Sequence, residues 1–133
     1  IYLFAGAEGL GGVFAALCDW LNSESSPIHR YTPPGADVDA VFDVRGVFQA
    51  SHQAMSMDEL PEILWPQKGF LGLKDYEKAF CVDPAADIYD MRDIDRAHGC
   101  VIVVRPDQYI AEVLPLNARE QLEQYFAGLL TLR

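Results

Sequence analysis

Gly99-Cys-Val-Ile-Val-Val-Arg-Pro-Asp-Gln-Tyr-Ile-Ala-Glu-Val-Leu-Pro115 decides the fold. Val101 to Val104 is a continuous β-branched run, the mark of a strand covered on both faces. Arg105-Pro-Asp-Gln108 is turn chemistry, because proline presets φ and Asp107 can accept from the backbone two residues on. Tyr109 to Leu114 resumes as a second strand, so the stretch predicts a β-hairpin. Asn117-Ala-Arg-Glu120 then has capping-box spacing and opens a helix. Its apolar residues Leu122, Tyr125, Phe126, Leu129 and Leu130 form one stripe at i, i+3, i+4, i+7 and i+8.

Working back toward residue 1, Ile1 to Phe4 predicts another buried strand and Gly6 to Gly12 a flexible loop. Val13 to Leu21 predicts a helix with Val13, Leu17, Trp20 and Leu21 inward, Asp19 and Asn22 outward. After Asn22-Ser-Glu-Ser-Ser-Pro27, Ile28 to Tyr31 reads as a short second strand, closing a parallel βαβ unit. Asp37 to Val44 alternates Val38, Ala40, Phe42 and Val44 with Asp37, Asp39, Val41 and Asp43, the pattern of a strand with one largely wet face. Ser56-Met-Asp-Glu59 has capping-box spacing for a short helix near Pro61. Leu64 to Leu73 reads as loop, Tyr76 to Val82 as extended, and Asp87 as the cap of a helical turn through Arg92. The fold class is α/β, a single domain over residues 1–133 with a central mixed sheet.

A chain of 133 residues buries roughly two thirds of its unfolded surface in one core. Net charge is −10, from 20 acidic against 10 basic residues, and the basic ones are scattered singly. Such a surface repels phosphate backbones and anionic lipid, which argues against nucleic-acid and membrane-surface roles. No apolar run approaches the roughly 18 residues that would suggest a membrane span. Ile1-Tyr-Leu-Phe4 is a core strand with no polar lead-in, and reads as part of a longer polypeptide. Cys18, Cys81 and Cys100 are too few and too spread for a disulfide scaffold and suggest reduced thiols in a cytoplasmic protein.

The hairpin-then-helix ending, after a βαβ unit, is how thioredoxin-like domains finish. Enzymes of that fold place a cysteine where the first helix begins, because the helix N-terminus favours the thiolate. Here the loop Gly6 to Gly12 has no cysteine, and Cys18 lies well inside the helix. The glycine spacing matches neither dinucleotide nor P-loop patterns, and Glu8 would repel phosphate. His29, His52 and His98 lack metal-site spacing. Ser51-His52 has no nucleophile elbow around it. Asp37, Asp39 and Asp43 lack the glycine and bidentate glutamate of a calcium loop. Asp87, Asp90, Asp93 and Asp95 read as a solvated segment paired with Arg92 and Arg96. Arg105 and Asp107 bracket Pro106 as a charge-assisted turn pair, with an interface contact as the alternative. Residue by residue, no catalytic, cofactor-binding or metal-ligating site emerges.

Four words carry a family resemblance: Asp75-Tyr-Glu-Lys-Ala-Phe80, Asp87-Ile-Tyr-Asp-Met-Arg-Asp-Ile-Asp95, Val103-Val-Arg-Pro-Asp-Gln-Tyr109 and Tyr125-Phe-Ala-Gly128. Together they resemble the C-terminal domain of flavin-dependent phenolic-ring hydroxylases of the phenol 2-monooxygenase and 3-hydroxybenzoate 4-monooxygenase type. The second of these is the nearer match. The resemblance implies a thioredoxin-like fold without redox cysteines and a role in subunit dimerisation. It further implies that FAD, NAD(P)H and catalysis belong to preceding domains of the same polypeptide, so no FAD-binding residue is assigned in this chain. Two other readings stay open at this point. One is an independent thiol redox protein using Cys18, Cys81 or Cys100. The other is a small-molecule pocket beneath the aromatic, glycine-punctuated loop from Trp65 to Leu73.

Overall fold

A computed structural model describes residues 1–131. Five strands form one mixed sheet: β1 (Tyr2–Phe4), β2 (Arg45–Phe48), β5 (Ala79–Cys81), β6 (Cys100–Val104) and β7 (Ile110–Leu114), in the order β5-β2-β1-β6-β7. Two further strands, β3 (Gln67–Lys68) and β4 (Leu73–Lys74), form a separate small hairpin. β1 pairs parallel with β2 and antiparallel with β6, β2 pairs parallel with β5, and β6 pairs antiparallel with β7. This five-stranded mixed sheet with flanking helices is consistent with the thioredoxin-like class expected from the hairpin.

One face of the sheet carries the main core. Against it pack α1 (Gly12–Leu21), α2 (Pro27–Tyr31), α4 (Arg119–Leu129) and the short 3-10 turn Glu62–Leu64. Leu3, Phe48, Val101 and Val103 from the strands meet Phe14, Leu17, Leu21, Ile28, Leu64, Leu122 and Phe126. Edge-to-face ring pairs tie the layers, Phe14 to Phe48 at 5.2 Å and Phe42 to Phe126 at 4.9 Å. Arg30 of α2 bonds Glu123 of α4 at 2.7 Å, and the Arg119 guanidinium donates to the Ala16 carbonyl of α1 at 2.7 Å. Each such apolar side chain, taken out of water, contributes about 1.5–3 kcal/mol.

The opposite face has a smaller cover, α3 (Ile88–Met91) and the chain around it. Asp87 caps α3 by accepting from the Tyr89 amide at 2.9 Å, as its position before the apolar turn predicts. Tyr89 is buried against Phe4 and Val47, and its hydroxyl lies 2.7 Å from the Ala5 carbonyl and 2.9 Å from that of Val47. Gly99, which brings the chain back into β6, has φ +66; a Cβ there would collide with the Phe4 carbonyl.

Several expectations are corrected. Ile28 to Tyr31 is helix rather than strand, because Ser26 caps it and Pro27 suits the first helical position. The second parallel strand is therefore Arg45–Phe48, and the βαβ unit takes in a longer crossover. Residues 38–41 form a turn and no strand runs through 37–44, so alternation there misled; Phe42 and Val44 are buried, but Ala40 is exposed. In α1 the inward residues are Phe14, Leu17, Cys18 and Leu21, leaving Val13 exposed and Trp20 half-buried. Neither capping box forms. Ser56 makes no side-chain cap bond to the 3-10 turn Met57–Glu59, and α4 starts after Ala118, not Asn117. Within Leu64 to Leu73, expected as loop, Gln67–Lys68 pairs with Leu73–Lys74.

Candidate interaction surface

The position where thioredoxin-like enzymes hold their thiol is the loop between β1 and α1. In this chain it runs from Gly6 to Gly11 and folds back on itself, with Gly9 donating to the Gly6 carbonyl and Gly11 to the Glu8 carbonyl. The Glu8 carboxylate lies over Gly12, so close that a Cβ there would collide with it. A negative side chain in that place does not fit a pyrophosphate. The thiols lie elsewhere. Cys18 is buried in the core, and burial, with the Asp19 charge, pushes its pKa up to about 12. Burial also pushes up Cys81, and burial with Asp95 pushes up Cys100. A redox thiol needs the opposite shift, so the geometry gives no support to the redox reading.

Among the described residues, no group of three or more His, Cys, Asp or Glu side chains could hold a metal ion. His29, His52 and His98 fall on separate elements, and His98 pairs only with Asp95, at 2.8 Å on the surface. Arg96 gathers Asp87 at 2.7 Å and Asp90 at 2.8 Å, and stacks over the Tyr89 ring at 5.3 Å. The expected acidic segment is thus Arg-paired, through Arg96; among the described residues Arg92 makes no ion pair. Arg105 and Asp107 form the expected turn pair at 2.6 Å. Two gaps touch the Trp65 to Leu73 loop: one bordered by Ile63, Pro66 and Lys78 that holds about 10 Å³, and an open, charged one of about 520 Å³ lined by Arg45, Lys68, Asp75, Glu77, Lys78 and Phe80.

Charge on the far edge is more organised than the sequence suggested. Lys78 is almost wholly buried, its side chain 7% exposed, and its ammonium meets Asp43 at 2.7 Å and Asp39 at 3.0 Å. Lys68 bonds Asp39 at 2.6 Å and Asp75 at 2.8 Å. Asp39 and Asp43, read as a wet strand face, are in fact the partners that hold two lysines and the β3–β4 hairpin in place. Burial alone would lower the Lys78 pKa, yet its bonds to Asp43 and Asp39 outweigh that and raise it. The network was not legible beforehand because its five members span 40 positions of sequence.

Exposed apolar side chains include two groups, beside scattered ones such as Met91 and Val13. The tip of the β3–β4 hairpin presents Phe70, 97% exposed, and Leu71, 68% exposed, with Gly69 and Gly72 at positive φ making the turn. At the other edge, Tyr109, Ile110 and Val113 stand out at 71%, 59% and 59%. An open cleft of about 530 Å³ adjoins that edge, lined in part by Tyr2, Val104, Arg105, Pro106, Tyr125 and Leu129. Exposed apolar residues gathered this way mark a contact surface rather than a reaction centre. No described helix is long and apolar enough to cross a membrane.

Comparison with known proteins agrees with that chemistry. The family model described as the phenol hydroxylase C-terminal dimerisation domain matches residues 1–133. A 3-hydroxybenzoate 4-monooxygenase of Comamonas testosteroni is 44% identical over 133 aligned positions, covering 95% of this chain and 21% of the relative. An FAD-dependent monooxygenase of Aspergillus terreus, terD, is 33% identical over 117 positions, covering 84% of this chain and 19% of the relative. The chain thus spans about a fifth of the length of these relatives.

Proposed function

This chain belongs to the phenol hydroxylase C-terminal dimerisation domain family, and we propose that it is the non-catalytic association module of a longer cytoplasmic FAD-dependent aromatic-ring monooxygenase. FAD and substrate domains precede it in the same polypeptide, and it works by packing against them and by pairing two subunits into a homodimer. The parent enzyme oxidises NAD(P)H, reduces O2, places one oxygen atom on a phenolic ring such as that of phenol or 3-hydroxybenzoate, and releases the other as water. The observation that carries the reading is the family match along the whole chain. The thiol-free, Glu8-closed loop at the fold's usual redox position supports it, since it leaves packing as the chain's task.

Two measurements test it. A dilution series of this 133-residue chain by light scattering should give twice the chain mass; a monomer at every concentration, with or without the parent domains, would sink the dimerisation role. The absorption spectrum of the native gene product, purified from its own source, should show flavin bands. A colourless product no larger than this chain would overturn the parent enzyme.

A further inference from the structure

The sheet's second face is only half covered. Its registers run Phe80–Val47–Phe4–Cys100, then Arg45–Tyr2–Ile102–Val113, then Val104–Ile110. α3 and Tyr89 close over the first row. Beyond it the described residues supply no further helix to this face: Ile102 is buried at the margin of that cover, Tyr2 and Val104 are half-buried, and Ile110 and Val113 are exposed. A sheet needs a second layer on each apolar face, and here that layer is incomplete.

Resting on the dimerisation reading, we propose that the stripe Tyr2, Ile102, Val104, Ile110 and Val113 is the surface on which a second copy of this chain packs, face to face across a two-fold axis. The family match supplies the occupant, and two observations select this surface for it. The first is charge. Two bodies of charge −10 repel, and they meet at least cost where no carboxylate lies. The stripe contains none. Glu112 is in register with Val103, on the other face, and the acids at its ends are already held, Asp107 by Arg105 and Asp43 by Arg45 and Lys78. The second is the form of the edge. β7 is the last strand, but its pairing with β6 slips between Val103 and Val104, leaving Ala111 as an extra residue. Such a bulge spoils continuous edge-to-edge pairing, so contact through side chains of the face is favoured over a strand-extended sheet. An isologous contact also uses each residue twice.

The test compares Val113→Asp with Phe70→Asp in this 133-residue chain by sedimentation across a concentration series, with circular dichroism confirming the fold of each. The expected result is that V113D weakens dimerisation by about 100-fold or more, because both copies bring an unpaired charge to the contact, while F70D leaves it unchanged. Val113→Ala should shift it in the same direction by less, and it serves if V113D fails to fold. A wild-type dimer that V113D and V113A leave intact overturns the assignment alone, as does dissociation by F70D only. A wild-type chain monomeric up to millimolar concentration overturns the assignment, and one that stays monomeric with its parent domains as well overturns the dimerisation reading too.

Discussion

The Lys78 ammonium sits 2.7 Å from the Asp43 carboxylate with its own side chain almost entirely out of water. Asp39, at 3.0 Å, is the second partner. Removing the cation would leave Asp39, itself only 13% exposed, beside Asp43 and Asp75 with Lys68 as the remaining lysine. Breaking a buried pair from one side costs about 3–5 kcal/mol. Because Asp43 is half open to solvent, Lys78→Ala is expected to cost less than that, about 2–3 kcal/mol. Chemical denaturation of the variant checks this.

The same cluster makes stability depend on acid. For Asp39 burial pushes the carboxyl up, but its bonds to Lys68 and Lys78 outweigh that and hold it below the usual value of 3.8. Asp43 is likewise lowered, with Lys78 and Arg45 outweighing burial, and Asp75 is lowered by Lys68 and the Glu77 amide. A carboxyl whose folded pKa lies below its unfolded one binds fewer protons when folded. Its stabilisation is therefore complete above the unfolded value and is lost as pH falls through the folded one. Denaturation midpoints should fall as pH drops from about 4. In Lys78→Ala the fall should be shallower.

Tyr89 links the two parallel strands from beneath, with one hydroxyl hydrogen facing the carbonyls of Ala5 and Val47. Its Phe substitution keeps the edge-to-face contact with Phe4, whose ring centre is 5.5 Å away. One donor hydrogen would then be lost while Val47 keeps the Ala5 amide and Ala5 keeps the Gln49 side-chain amide, so Tyr89→Phe should destabilise by about 1 kcal/mol. Thermal unfolding measures it; a neutral result would mean that water takes the hydroxyl's place.

All three thiols should be slow toward alkylation at neutral pH. Cys18, pushed to about 12 and buried, should react only on unfolding, and Cys81 and Cys100 more slowly than a free thiol because burial raises each. Alkylation followed by mass spectrometry across pH reads this directly. Any cysteine that reacts rapidly at pH 7 in the folded chain would return the redox reading to contention.

Much of the architecture was readable along the chain where the signal is local. The β-branched run Val101–Val104, the Arg105-Pro106-Asp107 turn and the Asp87 cap all appear where their side chains place them, since each depends on residues within a few positions. The missing thiol at Gly6–Gly12 was equally plain. Ile28–Tyr31 failed because four residues, Ile-His-Arg-Tyr, are too few to show a decisive period, and Ser26-Pro27 settled it as helix.

By itself, then, the sequence determined the hairpin-and-helix ending, the α/β class, the empty redox position and the family words. Tertiary structure alone decided which segment became the second parallel strand, how Lys68 and Lys78 gathered Asp39, Asp43 and Asp75, and that β7 became an edge with Ile110 and Val113 uncovered. The physical reason is range. Caps, turns and periodicity are written in neighbouring side chains, whereas strand order, buried ion pairs and an unfinished sheet face arise when residues tens of positions apart are brought together, and no local pattern encodes that meeting.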